Sequence, residues 1–600
     1  MTTQTWQDLR TAECLHTLFA RTAALHPGRT AVSDGRGSLS YAELDAAADR
    51  LAHRLRALGA GPEVPVGVCL ERDIDLIVGL LGVLKSGACY VPLDPRHPAE
   101  RLRSVLDDTG ASLVVGGFPD DGVRTVPVAG PVPAIEPGVP LPTADPACTA
   151  YIIHTSGSTG RPKGVPVTHA AVVRMLRACQ DRLDFSGQDV WTLFHSVAFD
   201  FSVWETWGPL LLGGRLVVVP YELSRDPDAF LDLLLRERVT VTGQTPSAFR
   251  QLLRAAERAR FPVTDLRVLA LGGESLQPSL LRPWFEHYGD ASPRLFNMYG
   301  LTESTVVSTV HPIRYADAER AACSIGRPLP GTRVHLLDED GKPVSDGATG
   351  EVHIGGDGIG RGYLNRPELT EQRFVPDPFG PPDARMYRTG DLASHDVDGD
   401  LVFHGRADSQ VQLRGFRIEP GEVEAAMKLH REVADAVVTV RENTSGVRQL
   451  VCHWIPRREA LDDGRETAAA IRAALTERLP EHMIPAVFVA VERFPLTTSG
   501  KLDLAALPAP ARQVPAESGG ARPVDSAAGA LLAGIWAELL ELDQVRPDDN
   551  FFSLGGDSML AVEMIALAQE QGVEISMPAL FAGPTIAALV SASAAEGEGP

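Results

Sequence analysis

Residues Ala150–Val165 read AYIIHTSGSTGRPKGV. In this stretch an apolar run, Tyr151–His154, leads into the small and hydroxylated residues Thr155–Gly160, and Lys163 follows. Small residues let backbone N–H groups approach a polyphosphate closely, hydroxyls add donors, and the lysine adds a positive charge. A Walker A loop needs Gly-Lys followed by Ser or Thr, so this is a different arrangement. The pattern predicts a strand that ends in a phosphate-binding loop, while composition alone is equally compatible with a Ser/Gly surface loop.

Around this loop, from about residue 15 to residue 400, apolar strand-like runs alternate with amphipathic helical stretches. Such alternation predicts an α/β domain with a largely parallel sheet. The predicted strands are Val66–Leu70, Ser112–Val115, Tyr151–His154, Arg215–Val219 and Val268–Leu271, with shorter ones at Gly350–Ile354 and Asp400–Phe403, and the predicted helices include Tyr41–Leu58 and Ala229–Arg238.

Two further segments follow the α/β region. Residues 409–505 read as a small α+β unit, with a helix at Gly421–Leu429 and strands near Asp435–Val440 and Gln449–Trp454. The stretch Ala505–Val524 is rich in Pro, Ala and Gly and has little to bury, which is typical of a linker. Residues 525–595 then have a helical pattern.

Charge and cysteine usage exclude several classes of protein. The 600 residues carry a net charge of −22, which disfavours binding to nucleic acid or to an anionic membrane. The N-terminus has no signal-peptide pattern, and no apolar stretch is long enough to span a bilayer. We therefore expect a cytoplasmic protein. No CxxC pair occurs, so neither a zinc site nor a disulfide framework is predicted from the seven cysteines, Cys14, Cys69, Cys89, Cys148, Cys179, Cys323 and Cys452.

The loop sequence TSGSTGRPKG resembles the signature of adenylate-forming enzymes, the superfamily of acyl-CoA synthetases, luciferases and nonribosomal peptide synthetase adenylation domains. Further motifs resemble the same family in its order, from about residue 12 to 508. They are Leu39–Leu44 (LSYAEL), Leu84–Pro95 (LKSGACYVPLDP), Asn297–Thr305 (NMYGLTEST), Gly350–Leu364 (GEVHIGGDGIGRGYL), Tyr387–Leu392 (YRTGDL), Gly405–Glu424 (GRADSQVQLRGFRIEPGEVE), Leu479–Pro485 (LPEHMIP) and Ser499–Asp503 (SGKLD).

The resemblance implies a site for ATP and Mg²⁺. Joining a carboxylate to the α-phosphorus of ATP builds negative charge, so such a site needs cations, a metal and fixed donors. By resemblance Glu303 holds Mg²⁺, Thr302 contacts phosphate and Tyr299 stacks on adenine. Asn297 lies beside the base, Asp391 accepts from the ribose hydroxyls, and Arg406 lies near ribose and phosphate. The remaining residues implied for ATP are Thr155, Ser156, Gly157, Ser158, Thr159, Gly160, Lys163, Gly273, Glu274 and Gly300.

Two residues in the C-terminal motifs have implied roles of their own. Lys501 bridges the substrate carboxylate and ATP, which suits a point charge on a flexible stem. Asp408 marks a hinge, so the resemblance implies alternating conformations for adenylation and thiolation. The family often has Lys where this chain has Gln412, and we assign Gln412 no catalytic role.

The stretch Phe199–Trp204, FDFSVW, bears on the class of acid. In amino-acid-activating members an aspartate here pairs with the substrate ammonium, and Asp200 occupies that position. A buried ammonium needs such a partner, whereas a fatty-acid or aryl-acid ligase has no use for a carboxylate there. The other pocket positions implied by the motifs are Phe201, Trp204, Gly243, Ala270, Gly272, Met298, Val306 and Val307.

Within this set, Phe201, Trp204, Gly272, Met298 and Val306 resemble the pocket of threonine-activating domains. Those domains usually place polar residues where this chain has Gly243 and Val307. A hydroxyl buried against Val307 would lose its partner, so we predict a small aliphatic substrate, 2-aminobutyrate or valine, with threonine as the alternative. An apolar pocket rejects an added hydroxyl only weakly.

The segment Asp549–Leu560, DNFFSLGGDSML, resembles the phosphopantetheine attachment site of peptidyl carrier domains. Ser558 is the implied site of the covalent 4′-phosphopantetheine. A serine at a helix N-terminus is exposed, and the helix dipole favours the added phosphate. An N-cap serine without modification is the structural alternative.

The predicted organisation is an adenylation core at 1–408, a mobile α+β subdomain at 409–508, a linker at 509–524 and an all-α four-helix carrier at 525–595. The core is expected to combine parallel-sheet layers with a small β-barrel. The predicted activity is a ligase reaction of nonribosomal peptide or antibiotic biosynthesis: ATP-dependent activation of an amino acid and its transfer to the carrier. The alternatives are an acyl- or aryl-CoA ligase and an inactive scaffold with a carrier module.

The expected partners follow from this organisation. A phosphopantetheinyl transferase would modify the carrier, and a condensation or tailoring enzyme would receive the thioester. No condensation or thioesterase motif is present in the sequence. A small MbtH-like helper protein is a further candidate partner.

Overall fold

The chain forms two units, the first ending at Glu419 and the second beginning at Pro420. The structure is a computed structural model. It describes residues 13–596 except for 120–121, 131–143, 158–161, 321–323, 409, 414, 443–447, 458–464, 496–501, 505, 509–525, 541, 543, 548, 550, 552–553, 555, 557, 577–578 and 581–582. The predicted linker at 509–524 lies outside the described residues. The predicted boundary at residue 408 stays a prediction.

The described residues of the first unit form strands and helices that alternate as predicted up to β13, after which strands predominate. The strands are β1 Thr30–Ser33, β2 Ser38–Ser40, β3 Pro65–Cys69, β4 Cys89–Leu93, β5 Leu113–Gly116, β6 Arg124–Val126, β7 Thr149–Thr155, β8 Lys163–Thr168, β9 Val190–Leu193, β10 Arg215–Val218, β11 Val241–Gln244, β12 Val268–Gly272, β13 Arg294–Tyr299, β14 Thr309–Ile313, β15 Ser324–Pro328, β16 Thr332–Leu337, β17 Gly350–Gly356, β18 Phe374–Pro376, β19 Arg385–His395, β20 Leu401–Arg406, β21 Val411–Leu413 and β22 Phe416–Ile418.

Along the sequence, most helices of this unit connect one strand to the next. They are α1 Leu15–Leu25, α2 Tyr41–Ala57, α3 Ile74–Lys85, α4 Ala99–Thr109, α5 His169–Leu183, α6 Phe201–Leu212, α7 Tyr221–Ser224, α8 Pro227–Arg236, α9 Pro246–Arg258, α10 Arg282–Tyr288 and α11 Pro367–Arg373. Local sequence sets several ends. For α2, Ser40 accepts from the Glu43 N–H and the Glu43 side chain reaches back, a capping box that satisfies donors at the helix start.

A six-stranded sheet has the order β6-β5-β3-β4-β7-β8 and is parallel except for the pair β7 and β8. Strand β4 is buried along its whole length, as expected for a strand covered on both faces. The turn between β7 and β8 carries the predicted phosphate loop, so this sheet positions one side of the candidate site.

A fourteen-stranded sheet has the order β16-β17-β19-β20-β15-β14-β13-β12-β11-β9-β10-β1-β2, with β18 paired to β19. The pairs from β1 through β10, β9, β11 and β12 to β13 are parallel. The section from β14 to β20 is antiparallel. In parallel strands ligand sites form beyond the carboxyl ends, where the pocket residues lie.

Helix α6 is buried on nearly all sides, which explains its almost continuous apolar sequence. Trp204 and Trp207 of this helix are fully buried. The Trp204 ring lies 4.6 Å from the ring of Trp191 on β9, centroid to centroid. Large aromatic side chains bury much apolar surface, so this packing fixes the helix that begins directly after Asp200.

The second unit contains two groups of elements. The first is α+β: helices α12 Pro420–Lys428 and α13 Arg465–Thr476 accompany strands β23 Val433–Glu442, β24 Arg448–Pro456 and β25 Val487–Ala490, which pair in that order. The second holds helices α14 Ala527–Leu540, α15 Ser558–Glu570 and α16 Ile586–Glu596. Its core includes Trp536, whose ring lies 4.9 Å from that of Phe551. The predicted large α/β domain, small subdomain and helical carrier are confirmed.

Within the part of the chain that the structure describes, no helix combines the length and apolar character needed to cross a bilayer.

Candidate active site

The phosphate loop begins where β7 and β8 pair, with Thr155 opposite Lys163. The Ser156 hydroxyl is buried and donates to the Arg417 carbonyl oxygen at 2.6 Å. Ser158, Thr159 and Gly160 lie outside the described residues. The hairpin thus holds the two ends of the loop at one edge of the six-stranded sheet.

Glu303, the implied magnesium ligand, is fully buried. One carboxylate oxygen accepts from Tyr363 Oη at 2.7 Å and from Tyr387 Oη at 3.0 Å, and the other accepts from Arg417 Nη1 at 2.8 Å. Burial opposes ionisation, but the charges of Arg417 and Lys163 outweigh it and lower the pKa of Glu303 to about 2. The carboxylate is therefore available as a hard oxygen ligand, which fits Mg²⁺.

Lys163 is also buried beside this carboxylate. Its Nζ lies 4.9 Å from the centroid of the Tyr363 ring and 3.9 Å from Glu419. Burial and the nearby Arg417 lower the pKa of Lys163 to about 8. The lysine therefore contributes a poorly solvated positive charge, which interacts strongly with anions.

Arg417, Tyr363 and Tyr387 are site residues that the sequence reasoning did not single out. Arg417 donates to Glu303, and its Nε donates to Gln410 Oε1 at 2.6 Å. All three lie inside motifs that carry the family resemblance, GRADSQVQLRGFRIEPGEVE, GYL and YRTGDL. The family motifs therefore contained these three residues, but the sequence did not show which motif residues contact one another.

The segment after β13 carries Glu303 in a tight turn. Thr302–Ser304 form a 3₁₀ turn, and Thr305 and Val306 follow with φ of 62° and 64°. Two successive β-branched residues in the left-handed region are strained. At Gly300 an added Cβ would lie 2.1 Å from the Val306 carbonyl oxygen, so only glycine lets the two arms of this turn approach.

The residues that the resemblance assigns to nucleoside binding lie close together on β13, β19 and β20. Tyr299 Oη donates to Asp391 Oδ2 at 2.6 Å, and Arg406 forms an ion pair with the same carboxylate. Burial raises the pKa of Asp391, while Arg406 opposes the shift. Asn297 Nδ2 donates to the Ser324 carbonyl oxygen at 2.8 Å. These side chains therefore hold one another in place.

The implied hinge residue Asp408 is tied to the same group. It accepts from Arg406 Nε at 2.7 Å and Nη2 at 2.9 Å, and lies 3.5 Å from Arg373. These contacts connect Asp408 to the Asp391 carboxylate through Arg406.

Asp200 lies at the N-cap position of α6, yet its side chain makes no capping hydrogen bond. Its Oδ2 instead accepts from the Thr302 hydroxyl at 2.7 Å. Burial raises the pKa of Asp200 to about 6, and the nearby Glu303 adds to the shift while the Thr302 hydrogen bond opposes it. The site therefore holds a desolvated carboxylate suited to pairing with a cation.

The predicted pocket residues converge beside Asp200. Phe201 and Trp204 stack, with centroids 5.3 Å apart and planes 9° from parallel. Adjacent strands bring Gly243 opposite Ala270 and Gly272 opposite Met298. The walls of the pocket are mainly apolar. They are formed by the buried hydrophobic side chains of Phe201, Trp204, Ala270, Met298, Val306 and Val307.

Two polar residues near this pocket were missed by the sequence reasoning. His195 Nδ1 lies 2.9 Å from Glu205 Oε1, and the His195 backbone N–H donates to the same carboxylate at 3.1 Å. The Glu205 oxygen is 3.1 Å from where a Cβ on Gly243 would lie. A glutamate at position 205, within an otherwise largely apolar helical sequence, could have indicated a buried polar contact.

The remaining implied residues are distributed as follows. Gly273 has φ of 81° and its added Cβ would lie 3.0 Å from the Phe199 ring. Glu274 accepts from Ser247 Oγ at 2.6 Å. Ser558 is the first residue of α15, a helix N-terminus of the kind that favours an attached phosphate. Its side chain and the whole of Lys501 lie outside the described residues.

The fold and this geometry define a class: an α/β enzyme with a Ser/Gly-rich loop between two paired strands, a buried ionised carboxylate that fits a metal, and an adjoining apolar pocket. Comparison with protein-family models gives three matches. Residues 19–364 match AMP-binding enzymes, residues 422–501 the AMP-binding enzyme C-terminal domain, and residues 530–592 the phosphopantetheine attachment site.

Curated relatives extend the likeness over nearly the whole chain. Syringomycin synthase SyrB1 of Pseudomonas syringae pv. syringae is 43% identical, over 93% of this chain and 92% of its own length. A dimodular nonribosomal peptide synthase of Bacillus subtilis is 45% identical over 96% of this chain. This chain spans only 25% of the Bacillus protein's length.

A solved structure is also similar over nearly the whole chain. Holo-PA1221, described as a nonribosomal peptide synthetase protein containing adenylation and peptidyl carrier domains bound to a vinylsulfonamide inhibitor, superimposes with a TM-score of 0.81. It is 31% identical and covers 96% of each chain.

The chain belongs to the AMP-binding enzymes, within the nonribosomal peptide synthetases that join an adenylation domain to a carrier domain. It is a ligase whose cofactors are ATP, Mg²⁺ and a covalently attached phosphopantetheine.

Proposed function

We propose that the chain activates a small aliphatic amino acid, 2-aminobutyrate or valine, and transfers it to the phosphopantetheine on Ser558. In the first step the amino acid carboxylate attacks the α-phosphorus of ATP, and the bond to the β-phosphate breaks. The products are an aminoacyl adenylate and pyrophosphate. The phosphopantetheine thiol supplies the acceptor for the second step, in which the aminoacyl group leaves AMP to form a thioester and the thiol proton is released.

Asp200 is the observation that carries the proposal. Its buried carboxylate lies at the start of α6, beside Phe201 and within hydrogen-bond distance of Thr302. A carboxylate without a full countercharge in an apolar pocket is costly, and a substrate ammonium would supply that charge. This supports an amino acid over a fatty or aromatic acid.

The apolar lining supports a small aliphatic side chain. Val306 and Val307 are buried, and the Glu205 carboxylate near Gly243 already accepts from His195. A threonine hydroxyl against Val307 would therefore lack a partner, at a cost of about 1–3 kcal/mol. Threonine remains the second candidate, because an apolar pocket rejects a hydroxyl weakly.

The other residues take the roles that the resemblance implies. Glu303 would hold Mg²⁺, whose charge offsets that developing on the phosphates. Lys163, Thr302 and the loop at Thr155–Gly160 would bind phosphate, and Lys501 would bridge the carboxylate and ATP. Tyr299, Asn297, Asp391 and Arg406 would bind the nucleoside, with Gly273, Glu274 and Gly300 beside them.

The proposal extends to domains and partners. The adenylation core at 1–408 and the subdomain at 409–508 would alternate between two conformations about Asp408. A phosphopantetheinyl transferase would modify Ser558, and a condensation or tailoring enzyme would receive the thioester. An MbtH-like protein is proposed as an additional helper.

Amino-acid-dependent exchange between ATP and pyrophosphate tests the substrate. The panel contains the common amino acids and 2-aminobutyrate, with coenzyme A consumption measured in parallel. We expect exchange to peak with 2-aminobutyrate or valine and no coenzyme A to be consumed. A threonine maximum would contradict the aliphatic assignment, and consumption of coenzyme A with a carboxylic acid would replace the proposal with a CoA ligase.

A further inference from the structure

Three side chains of the kinds that bind transition metals meet in the first unit, and none of them has a role in the proposed reaction. Cys14 precedes helix α1, His16 lies in the first turn of α1, and His169 is the first residue of α5. The Cys14 Sγ and one ring nitrogen of each histidine all lie within 4.8 Å of one another. Around a tetrahedral Zn²⁺, ligand atoms bonded at about 2.0–2.3 Å lie roughly 3.3–3.6 Å apart. The atoms of this Cys14 cluster are therefore within reach of a single ion.

The Cys14 cluster is buried, and its rings are poorly satisfied. Cys14 is 2% exposed, His16 7% and His169 0%. The two imidazole rings meet edge to face, with centroids 5.4 Å apart. Both ring nitrogens of His16 and Nε2 of His169 find no hydrogen-bond partner among the residues that the structure describes. A buried nitrogen without a partner is costly, and coordination to a cation would satisfy one nitrogen of His16.

Both histidines are in the ionisation state that binds metals. Burial lowers the pKa of His16 to about 4, and the charge of Lys85 adds to the shift. Burial also lowers the pKa of His169 to about 3, and the neighbouring His16 adds to it. The two rings are therefore neutral at pH 7. A neutral imidazole has a nitrogen lone pair that it can share with a cation.

A metal ion in the Cys14 cluster would replace two hydrogen bonds. The Leu15 backbone N–H donates to Nδ1 of His169 at 3.3 Å, so Nδ1 is the ring nitrogen that has the lone pair. The Cys14 Sγ donates to the Ala144 carbonyl oxygen at 3.1 Å. The first contact is long, and a thiol is a weak donor. Bonds to a metal would outweigh both, because structural zinc binds far more strongly than a single hydrogen bond.

Negative charge near the Cys14 sulfur favours a cation there. Burial raises the pKa of Cys14 to about 12, and Cys148, Asp145 and Glu13 add to the shift. Glu13 also pairs with Arg21 at 2.7 Å. The thiol is therefore protonated unless a metal displaces its proton. The nearby carboxylates that oppose a bare thiolate would stabilise a metal–thiolate pair, whose net charge is positive.

We propose that Cys14, His16 and His169 form a zinc site that ties the start of α1 to the start of α5. As Zn²⁺ binds, the S–H bond breaks, the Zn–S bond forms and the proton passes to water. A thiolate with two imidazoles is a donor set that suits Zn²⁺, whereas Mg²⁺ prefers oxygen ligands. Because His169 directly follows β8, which begins at Lys163, the site would also anchor the hairpin that carries the Ser/Gly-rich loop. No CxxC pair marks it, since His169 is remote from Cys14 along the chain.

Cobalt binding tests the site, because Co²⁺ takes the place of Zn²⁺ and its spectrum reports the ligands. The full chain carries Ser558→Ala, so that no phosphopantetheine thiol is present, and excess Mg²⁺ occupies oxygen ligands such as Glu303. We expect one Co²⁺ per chain, a thiolate-to-cobalt charge-transfer band, the intense visible bands of tetrahedral coordination, and displacement by Zn²⁺. Cys14→Ser keeps a donor for the Ala144 carbonyl oxygen and should remove the charge-transfer band.

Further variants separate the Cys14 cluster from other sites. His16→Gln and His169→Gln should each weaken Co²⁺ binding by more than about a hundredfold, because losing an outer partner of a metal ligand already costs about 10–100-fold. Zn²⁺ should raise the thermal unfolding midpoint of the parent and not that of Cys14→Ser, since binding to the folded state stabilises it. Cys179→Ala, at a buried cysteine of α5, is the control and should bind as the parent does.

The spectrum of the folded parent is decisive even where a variant fails to fold. A parent without a thiolate band, or a band that persists in Cys14→Ser, would overturn the proposal. A band lost in Cys179→Ala and kept in both histidine variants would do the same. Exchange between ATP and pyrophosphate in the same samples reports on adenylation alone, so its absence beside a normal cobalt spectrum would refute the proposed function and leave the zinc site in place.

Discussion

At the scale of the residue, two buried carboxylates, Glu303 and Asp200, lie in different electrostatic environments. Glu303 is held ionised by Arg417 and Lys163, whereas the Asp200 carboxylate accepts from the neutral Thr302 hydroxyl. Their pKa values are accordingly shifted in opposite directions, to about 2 and about 6. Groups in one site whose environments separate their pKa values commonly have different tasks. Here one suits a metal and the other an ammonium.

This difference predicts a pH dependence. Because the pKa of Asp200 is about 6, its carboxylate becomes protonated as the pH falls through 6 and no longer pairs with the substrate ammonium. We expect kcat/KM for the amino acid to fall about tenfold per pH unit below 6. Glu303 remains ionised there. Asp200→Asn should lower the rate and remove this dependence, and an unchanged profile in that variant would contradict the role of Asp200.

A second residue-scale prediction concerns Val307. Threonine is nearly isosteric with valine, so Val307→Thr adds a hydroxyl to the pocket wall with little change of volume. We expect the kcat/KM ratio of threonine to 2-aminobutyrate to rise by about tenfold, because the substrate hydroxyl gains a partner. Val352→Thr, at a buried valine on β17, is the control. An unaltered ratio in Val307→Thr would show that the substrate side chain does not reach this wall.

Most candidate site residues were assigned from ordered motifs in the sequence, and their roles stay predictions. The sequence did not predict their partners. Thr302 was expected to contact phosphate, and in this structure its hydroxyl donates to Asp200. The three donors to Glu303 come from separate motifs. Their meeting depends on the packing of β19, β22 and the segment between β17 and α11 against the turn after β13.

At the scale of the element, the turn between β13 and β14 positions Tyr299, Thr302 and Glu303 together. Gly300→Ala would place a Cβ 2.1 Å from the Val306 carbonyl oxygen and 2.7 Å from its carbonyl carbon. The turn would have to open, so we expect pyrophosphate exchange to fall by at least about a hundredfold, as small misplacements of catalytic groups do.

Gly399→Ala is the matched control for this turn. Gly399 also has a positive φ, 79°, but an added Cβ there would meet nothing within 4 Å. It should cost about 1 kcal/mol of stability and leave exchange near the parental rate. Equal exchange in the two variants would contradict the tight approach of Gly300 to Val306.

The elements themselves were predictable from periodicity. The helix expected at Tyr41–Leu58 spans Tyr41–Ala57, and the strand expected at Val268–Leu271 spans Val268–Gly272. Their order in the sheets was not, because non-local pairing such as β4 beside β7 leaves no local pattern in the sequence.

At the scale of the whole molecule, we expect adenylation and modification of the carrier to be separable by mutation. Lys501→Ala should abolish amino-acid-dependent exchange, because its charge would bridge the carboxylate and ATP, while modification of Ser558 by a phosphopantetheinyl transferase should continue. Lys428→Ala removes a lysine paired with Asp435 at 2.7 Å and serves as the control. If Lys501→Ala exchanged pyrophosphate at near the parental rate, the proposed role of Lys501 in adenylation would be wrong.

In the proposed function, the activated amino acid becomes attached to the chain's own carrier. The most direct measurement is the mass of the Ser558 peptide after the protein is modified with phosphopantetheine and incubated with ATP, Mg²⁺ and 2-aminobutyrate. We predict an added aminoacyl group on the phosphopantetheine that is released by excess free thiol and is absent without ATP. A Ser558 peptide that bears phosphopantetheine but gains no aminoacyl mass, in a sample that exchanges pyrophosphate, would contradict the account.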